Sequence, residues 1–142
     1  MSESLTPQGA FNTTNTSISY TNPSHTYKLE YESDKQWHGY CDDLRAVEQA
    51  VYKILNTERY KYLIYSWNYG IELEDLFGQP IPYVYAEVQR RIQEALLWDD
   101  RVKEVNNFRF SEGIRGEVTV LFDVITEYGV LEDVRKVVET SV

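Results

Sequence analysis

Residues 62–102 read YLIYSWNYGIELEDLFGQPIPYVYAEVQRRIQEALLWDDRV, and the order of patterns in this stretch decides the fold class. The run over residues 60–67 is rich in Tyr and Ile and has the composition of a strand. Asn68-Tyr69-Gly70 supplies a turn, with Gly70 the residue able to take positive φ. Ile71, Leu73, Leu76 and Phe77 form a short apolar patch with Glu72, Glu74 and Asp75 facing outward, and Gly78 closes it. Pro80 and Pro82 reset the chain, and Pro82 suits the first turn of a helix. Val84, Val88, Ile92, Ala95 and Leu96 then recur at helical spacing, to about Leu97. Glu87 and Arg91 stand four apart on the other face, in the favourable order for an ion pair. The stretch ends on Trp98-Asp99-Asp100-Arg101-Val102, a junction held by the helix before it and the strand after it.

Upstream, residues 26–31 alternate Tyr27, Leu29 and Tyr31 against Lys28 and Glu30, the pattern of a half-buried strand. Asp42 or Asp43 can cap a helix over residues 43–56, whose Leu44, Val47, Val51, Ile54 and Leu55 share one face. Downstream of Arg101 the period changes to two. A strand over residues 102–111 carries Phe108 and Phe110 on one face, and residues 112–116 form a hairpin loop. Val118, Val120, Phe122 and Val124 then alternate with Thr119, Leu121, Asp123 and Ile125. Apolar residues on both faces place this strand centrally in its sheet. Val130, Val134, Val137 and Val138 fit a helix by spacing, whereas the Val content and the Tyr128-Gly129 turn fit a second hairpin. The strand is the reading adopted. The fold class is therefore α+β: a single domain over residues 25–142, with two main helices packed on a mostly antiparallel sheet.

Residues 1–24 are different material, expected to form a flexible N-terminal arm. Ser, Thr and Asn dominate, Lys and Arg are absent, and Glu3 is the one acid. Such a segment buries too little apolar surface to offset its ordering entropy. A frayed terminus is the simpler reading. The alternative is an arm that orders by adding to a neighbouring subunit, with Phe11, Ile18 and Tyr20 as anchors.

At 142 residues the chain is long enough for one hydrophobic core without a staple. A net charge of −9 and scattered Lys and Arg argue against nucleic acid as a partner. Twelve Tyr suit half-buried sheet faces and protein interfaces, and equally serve as ordinary strand residues. The lone Cys41 excludes an internal disulfide and a Cys-based zinc site. No stretch has the length of a membrane helix and no signal-peptide pattern opens the chain, so cytosolic synthesis and no membrane partner are expected.

Chemistry is hard to place. His38 and Cys41, three apart before a helix N-terminus, could suggest a nucleophile pair, but such pairs come from distant parts of a fold with a third orienting group. A structural Cys is the better reading. Glu72, Glu74 and Asp75 are neighbours on one short element, unlike the opposed carboxylates of a glycosidase, so a solvated acidic face is preferred. No phosphate-binding glycine loop or nucleophile elbow is present. No catalytic, cofactor or metal residue is nominated. The junction Trp98, Asp99, Asp100 and Arg101 is the candidate partner-binding site, since Arg101 can fork onto a carboxylate within the junction or on a partner.

With these elements in order, the chain resembles the small baseplate wedge proteins of contractile phage tails, also called sheath initiators. Residues 65–78, YSWNYGIELEDLFG, resemble the family's Gly, apolar, Leu-Phe/Leu-Gly turn region. The helix over residues 83–97 and Trp98-Asp99-Asp100-Arg101-Val102 are similar to its helix and Trp-Glu-Pro-Arg-Val junction. Asp99 stands for Glu and Asp100 for Pro, which relaxes the backbone restraint before Arg101. The likeness spans residues 41–127 and is nearest to the version in phage-like elements and contractile bacteriocins of Gram-positive bacteria. It implies a non-enzymatic assembly part, made in the bacterial cytoplasm and built in multiple copies into a baseplate. The implied partners are other wedge subunits, hub and tube proteins, and sheath protein with which strands are exchanged. A cytosolic regulatory adaptor of the same fold is the alternative.

Overall fold

The computed structural model describes residues 24–30, 36–114 and 116–140, with the side chains of residues 36–38 left aside. The anchors Phe11, Ile18 and Tyr20, and Tyr31 of the first strand, lie outside the described residues. Strands β1 (Thr26–Glu30) and β2 (Gln36–Cys41) form an antiparallel ribbon. Helix α1 (Asp43–Leu55) follows, then a long loop and a 3-10 turn over Glu74–Leu76. Helix α2 (Ile81–Leu97) leads into β3 (Val102–Glu112), β4 (Glu117–Thr126) and β5 (Gly129–Glu139). These last three make an antiparallel sheet in the order β3-β4-β5. The α+β class with two helices and antiparallel pairing is thus as the sequence implies.

Helix α1 starts where Asp42 accepts the Asp43 N–H at 2.9 Å, the capping role that short polar side chains fill. Its buried face (Ala46, Val47, Val51, Ile54, Leu55) meets the buried face of α2 (Val84, Val88, Ile92, Ala95, Leu96). Both close on the inner face of the sheet, where Val118, Val120, Phe122 and Val124 of β4 are fully buried. Strand β4 is central, as its two-sided apolar pattern predicts. Residues 130–138 are strand: Thr126 Oγ1 donates to the Gly129 carbonyl and accepts the Tyr128 N–H, closing a hairpin.

Strict alternation along β3 would send Val102 and Val105 to opposite faces, yet both are buried. Two bulges resolve this. One lies between Val102 and Glu104; the other, between Asn106 and Arg109, contains Asn107 at φ 57°. Each extra residue resets the face, so Val102, Val105, Phe108 and Phe110 all point inward. A matching bulge in β5 contains Asp133 at φ 54°. Asp123 on β4 sits between the two, its carboxylate accepting Asn107 Nδ2 at 2.7 Å and the Asp133 N–H at 2.9 Å.

Two expectations are corrected. Residues 60–67 are not a strand but part of a turn-rich loop over residues 59–70. The loop ends meet through Arg59 N–H to the Ile71 carbonyl (3.1 Å) and Ile71 N–H to the Thr57 carbonyl (2.9 Å). Inside, Tyr65 N–H bonds the Tyr62 carbonyl and Tyr69 N–H the Ser66 carbonyl. Strand composition describes a fit to a pleated, half-buried surface, and among the described residues this run pairs with no strand. The alternation sets Tyr27 on the same face as Leu29, yet Tyr27 is exposed and stacks on Tyr40 at 5.0 Å. Among the described residues the ribbon meets α1 through β1. There the buried Gln49 amide accepts the Leu29 N–H (2.7 Å) and donates to the Tyr27 carbonyl (2.8 Å), as a neighbouring strand would.

Candidate functional site

The junction begins at the last turn of α2. The Asp99 N–H bonds the Leu96 carbonyl at 3.1 Å, and the Val102 N–H bonds the Asp99 carbonyl at 2.9 Å, which turns the chain into β3. Asp99 Oδ1 accepts the Arg101 N–H (3.1 Å) and Nε–H (2.8 Å), while Oδ2 accepts Nη2–H at 2.6 Å. The first of these closes an Asx turn. A side-chain bond therefore restrains the backbone ahead of Arg101, the task a proline at position 100 would otherwise share. The Arg101 carbonyl accepts the Glu127 N–H at 2.9 Å, tying the junction to the β4–β5 turn.

Of the four predicted residues, Asp99 and Arg101 form the internal pair, with side chains only 15% and 19% exposed. Trp98 and Asp100 face solvent, as does Leu97. The junction borders a concavity of about 390 Å³, whose other walls are Ile54, Asn68, Tyr69, Gly70 and Ala95. Among the described residues, the acids Glu72, Glu74 and Asp75 are not a bare acidic face. They pair with Arg59 (3.6 Å), Lys61 (2.7 Å) and Arg91 respectively. Arg91 also takes Glu87 at 3.1 Å and the Glu72 carbonyl at 2.8 Å, so it fastens the 3-10 segment to α2. Cys41 ends β2 with its thiol 3.8 Å from Gln49 Oε1, a weak contact within the ribbon–helix seam; the His38 imidazole is outside the described side chains.

Residues 14–129 match the family model described as contractile injection system sheath initiator. The chain belongs to that family. It is also 36% identical, over 132 residues, to the phage-like element PBSX protein XkdS of Bacillus subtilis (strain 168), a match covering 90% of this chain and 92% of the relative. A structural role in a contractile injection system follows. In this sheath-initiator chain the walls of the concavity mix one exposed indole, a tyrosine and an internally neutralised ion pair.

Burial pushes the Asp99 carboxyl up, but the Arg101 guanidinium hydrogen-bonded to it outweighs this and holds it below the ordinary Asp value of 3.8. A folded pKa below the unfolded one means that the stabilisation is complete above about pH 3.8 and is lost as pH falls through the folded value. Urea midpoints between pH 7 and pH 2 should therefore decline less steeply with acid for Asp99→Asn than for the native chain. Equal acid slopes would remove Asp99 from the linkage.

The sequence reading has the turn at Asn68-Tyr69-Gly70 but not the rest of the loop over residues 59–70. Its signal was present: Ser66, Asn68 and Gly70 at every second position are turn chemistry inside an aromatic run.

Proposed function

We propose that the chain is a structural baseplate subunit. Its junction joins the core bundle of wedge subunits around the tail hub and tube, and its sheet presents the surface on which the first ring of sheath protein polymerises. It is an assembly part rather than a catalyst, made in the bacterial cytoplasm and present in several copies in a symmetric particle. Residues 25–142 are the assembly domain and residues 1–24 its arm. The similarity to a phage-like element protein supports a tail-derived particle as the setting.

The observation that carries this reading is the flank of β5. Among the described residues this eleven-residue strand pairs with β4 alone, which makes it an edge of their sheet. Beside it runs a groove of about 610 Å³, whose facing wall is α1 at Val51 and Leu55, with Val130 and Val137 exposed on the strand. An edge strand beside a groove suits β-augmentation, in which an incoming sheath strand takes its affinity from backbone hydrogen bonds. At the junction, Trp98 and Asp100 present the outer contacts. Arg101 keeps free fork donors on Nη1, because Asp99 occupies Nε and Nη2.

Two variants separate the two contacts. Arg101→Ala chains should be missing from purified particles, with the isolated chain's thermal midpoint measured to show that it still folds. Val130→Lys/Val137→Lys chains should enter particles that carry tubes but no sheath in electron micrographs. Normal sheathed particles from both variants would sink the proposal.

A further inference from the structure

Residues 59–70 leave the end of α1 and return to the same place, and the loop between is apolar at its tip. Leu63 is 103% exposed, Ile64 86% and Trp67 80%. Solitary exposed apolar residues are ordinary, but an aliphatic pair at the tip of one loop, ringed by aromatics, is not. The loop is also built to hold its shape. Tyr65 stacks on Tyr69 at 4.5 Å, Tyr62 meets Tyr65 edge-on at 6.3 Å, and Tyr60 packs on Trp67 at 5.8 Å. At the base, Arg59 donates to the Gly70 carbonyl through Nε and Nη2 and pairs with Glu94 of α2 at 3.0 Å. Aromatic packing inside a closed loop is the anatomy of a compact functional loop. It also lowers the ordering cost of docking, because the tip is fixed before a partner arrives.

Charge selects the kind of partner. At the loop base, Glu58, Glu72, Glu74 and Asp75 line the same concavity as Arg59 and Lys61, and with Arg91 of α2 bonded to Asp75 the acids still outnumber the bases, four to three. The whole chain carries −9. An anionic bilayer would be repelled, and two aliphatic side chains bury too little apolar surface to offset that. A second copy would bring the same acidic rim against this one. We propose that Leu63 and Ile64 are the anchor by which this chain docks into an apolar socket with a basic rim on a different protein subunit of the particle. The anchor rests on the assembly role proposed above and adds a contact to it. Because Asn68, Tyr69 and Gly70 share the 390 Å³ concavity with Trp98 and Arg101, the loop and the junction form one continuous docking face.

The test uses the full-length chain in cells that assemble the particle. Both tip residues lie outside the core, so Leu63→Ser/Ile64→Ser should keep the native denaturation midpoint. Its incorporation, measured by mass spectrometry of purified particles, should fall about tenfold or more, the loss of a central apolar anchor. A photo-crosslinking amino acid in place of Ile64 should capture a different particle subunit, on a peptide bordered by Lys or Arg. Equal incorporation of variant and native chains overturns the anchor while leaving the assembly role standing. Absence of the native chain from particles overturns the assembly role itself. Crosslinking to a second copy overturns the choice of partner, as does tip-dependent co-sedimentation with phosphatidylcholine–phosphatidylglycerol vesicles.

Discussion

Gly70→Ala should destabilise the fold by about 2–4 kcal/mol and loosen the loop over residues 59–70. Gly70 has φ +96°, and a Cβ there would sit 2.5 Å from the Thr57 carbonyl oxygen, with Arg59 N at 3.3 Å. Neither neighbour is a flexible side-chain end, so the loop base, where residues 57–59 meet Gly70 and Ile71, has to open. That opening reaches the Ile71 N–H bond to Thr57 and the two Arg59 bonds to the Gly70 carbonyl. Ile71 is itself buried in the core, which links loop closure to global stability. Urea unfolding followed by far-UV circular dichroism measures the loss, and limited proteolysis reads the loop directly. An unchanged midpoint with no new cleavage between residues 59 and 70 would show that the loop does not depend on this turn.

Phe122→Ala should cost about 3–5 kcal/mol, the range for emptying an aromatic site in a packed core. Phe122 is fully buried at the middle of the central strand and stacks on Phe108 of β3 at 5.3 Å. Phe108 in turn reaches Phe110, which stacks on Tyr85 of α2 at 4.6 Å. Removing the first ring leaves a cavity that the others fill only by giving up their own contacts. The denaturant midpoint should fall with little change in slope, since the surface exposed on unfolding is nearly the same. A loss below about 1 kcal/mol would mean that the ring chain collapses onto the cavity at little cost.

What was legible in the sequence was whatever local periodicity and composition express. The stripe Val84, Val88, Ile92, Ala95, Leu96 announces α2, and the alternation about Phe122 announces a central strand, because one buried face must repeat with the period of its element. Pro82 and Asp42 mark helix starts for equally local reasons. The family likeness was readable at residues 65–78 and 83–102, and the family match over residues 14–129 agrees with it. The candidate junction was also visible, as a charged run between a helix and a strand.

Other features depend on neighbours distant in sequence. Strand β2 is not legible because Gly39 interrupts it and, among the described residues, β1 is the one strand it pairs with. The bulges at Asn107 and Asp133 exist because Asp123 stands between them across two strand pairings. Whether Arg101 turns inward depends on Asp99 being half-buried beside it, where the pair gains more than two solvated charges would. The run over residues 60–67 shows the division most plainly. Its residues have the propensities of a strand, and the sequence by itself determined that they are large, aromatic and apolar. Tertiary structure alone decided that they pair with no strand among the described residues, that Gly70 and Arg59 close them into a loop, and that Leu63 and Ile64 end at its tip in solvent. A strand is completed by its partner, and a partner's position is a property of the whole fold.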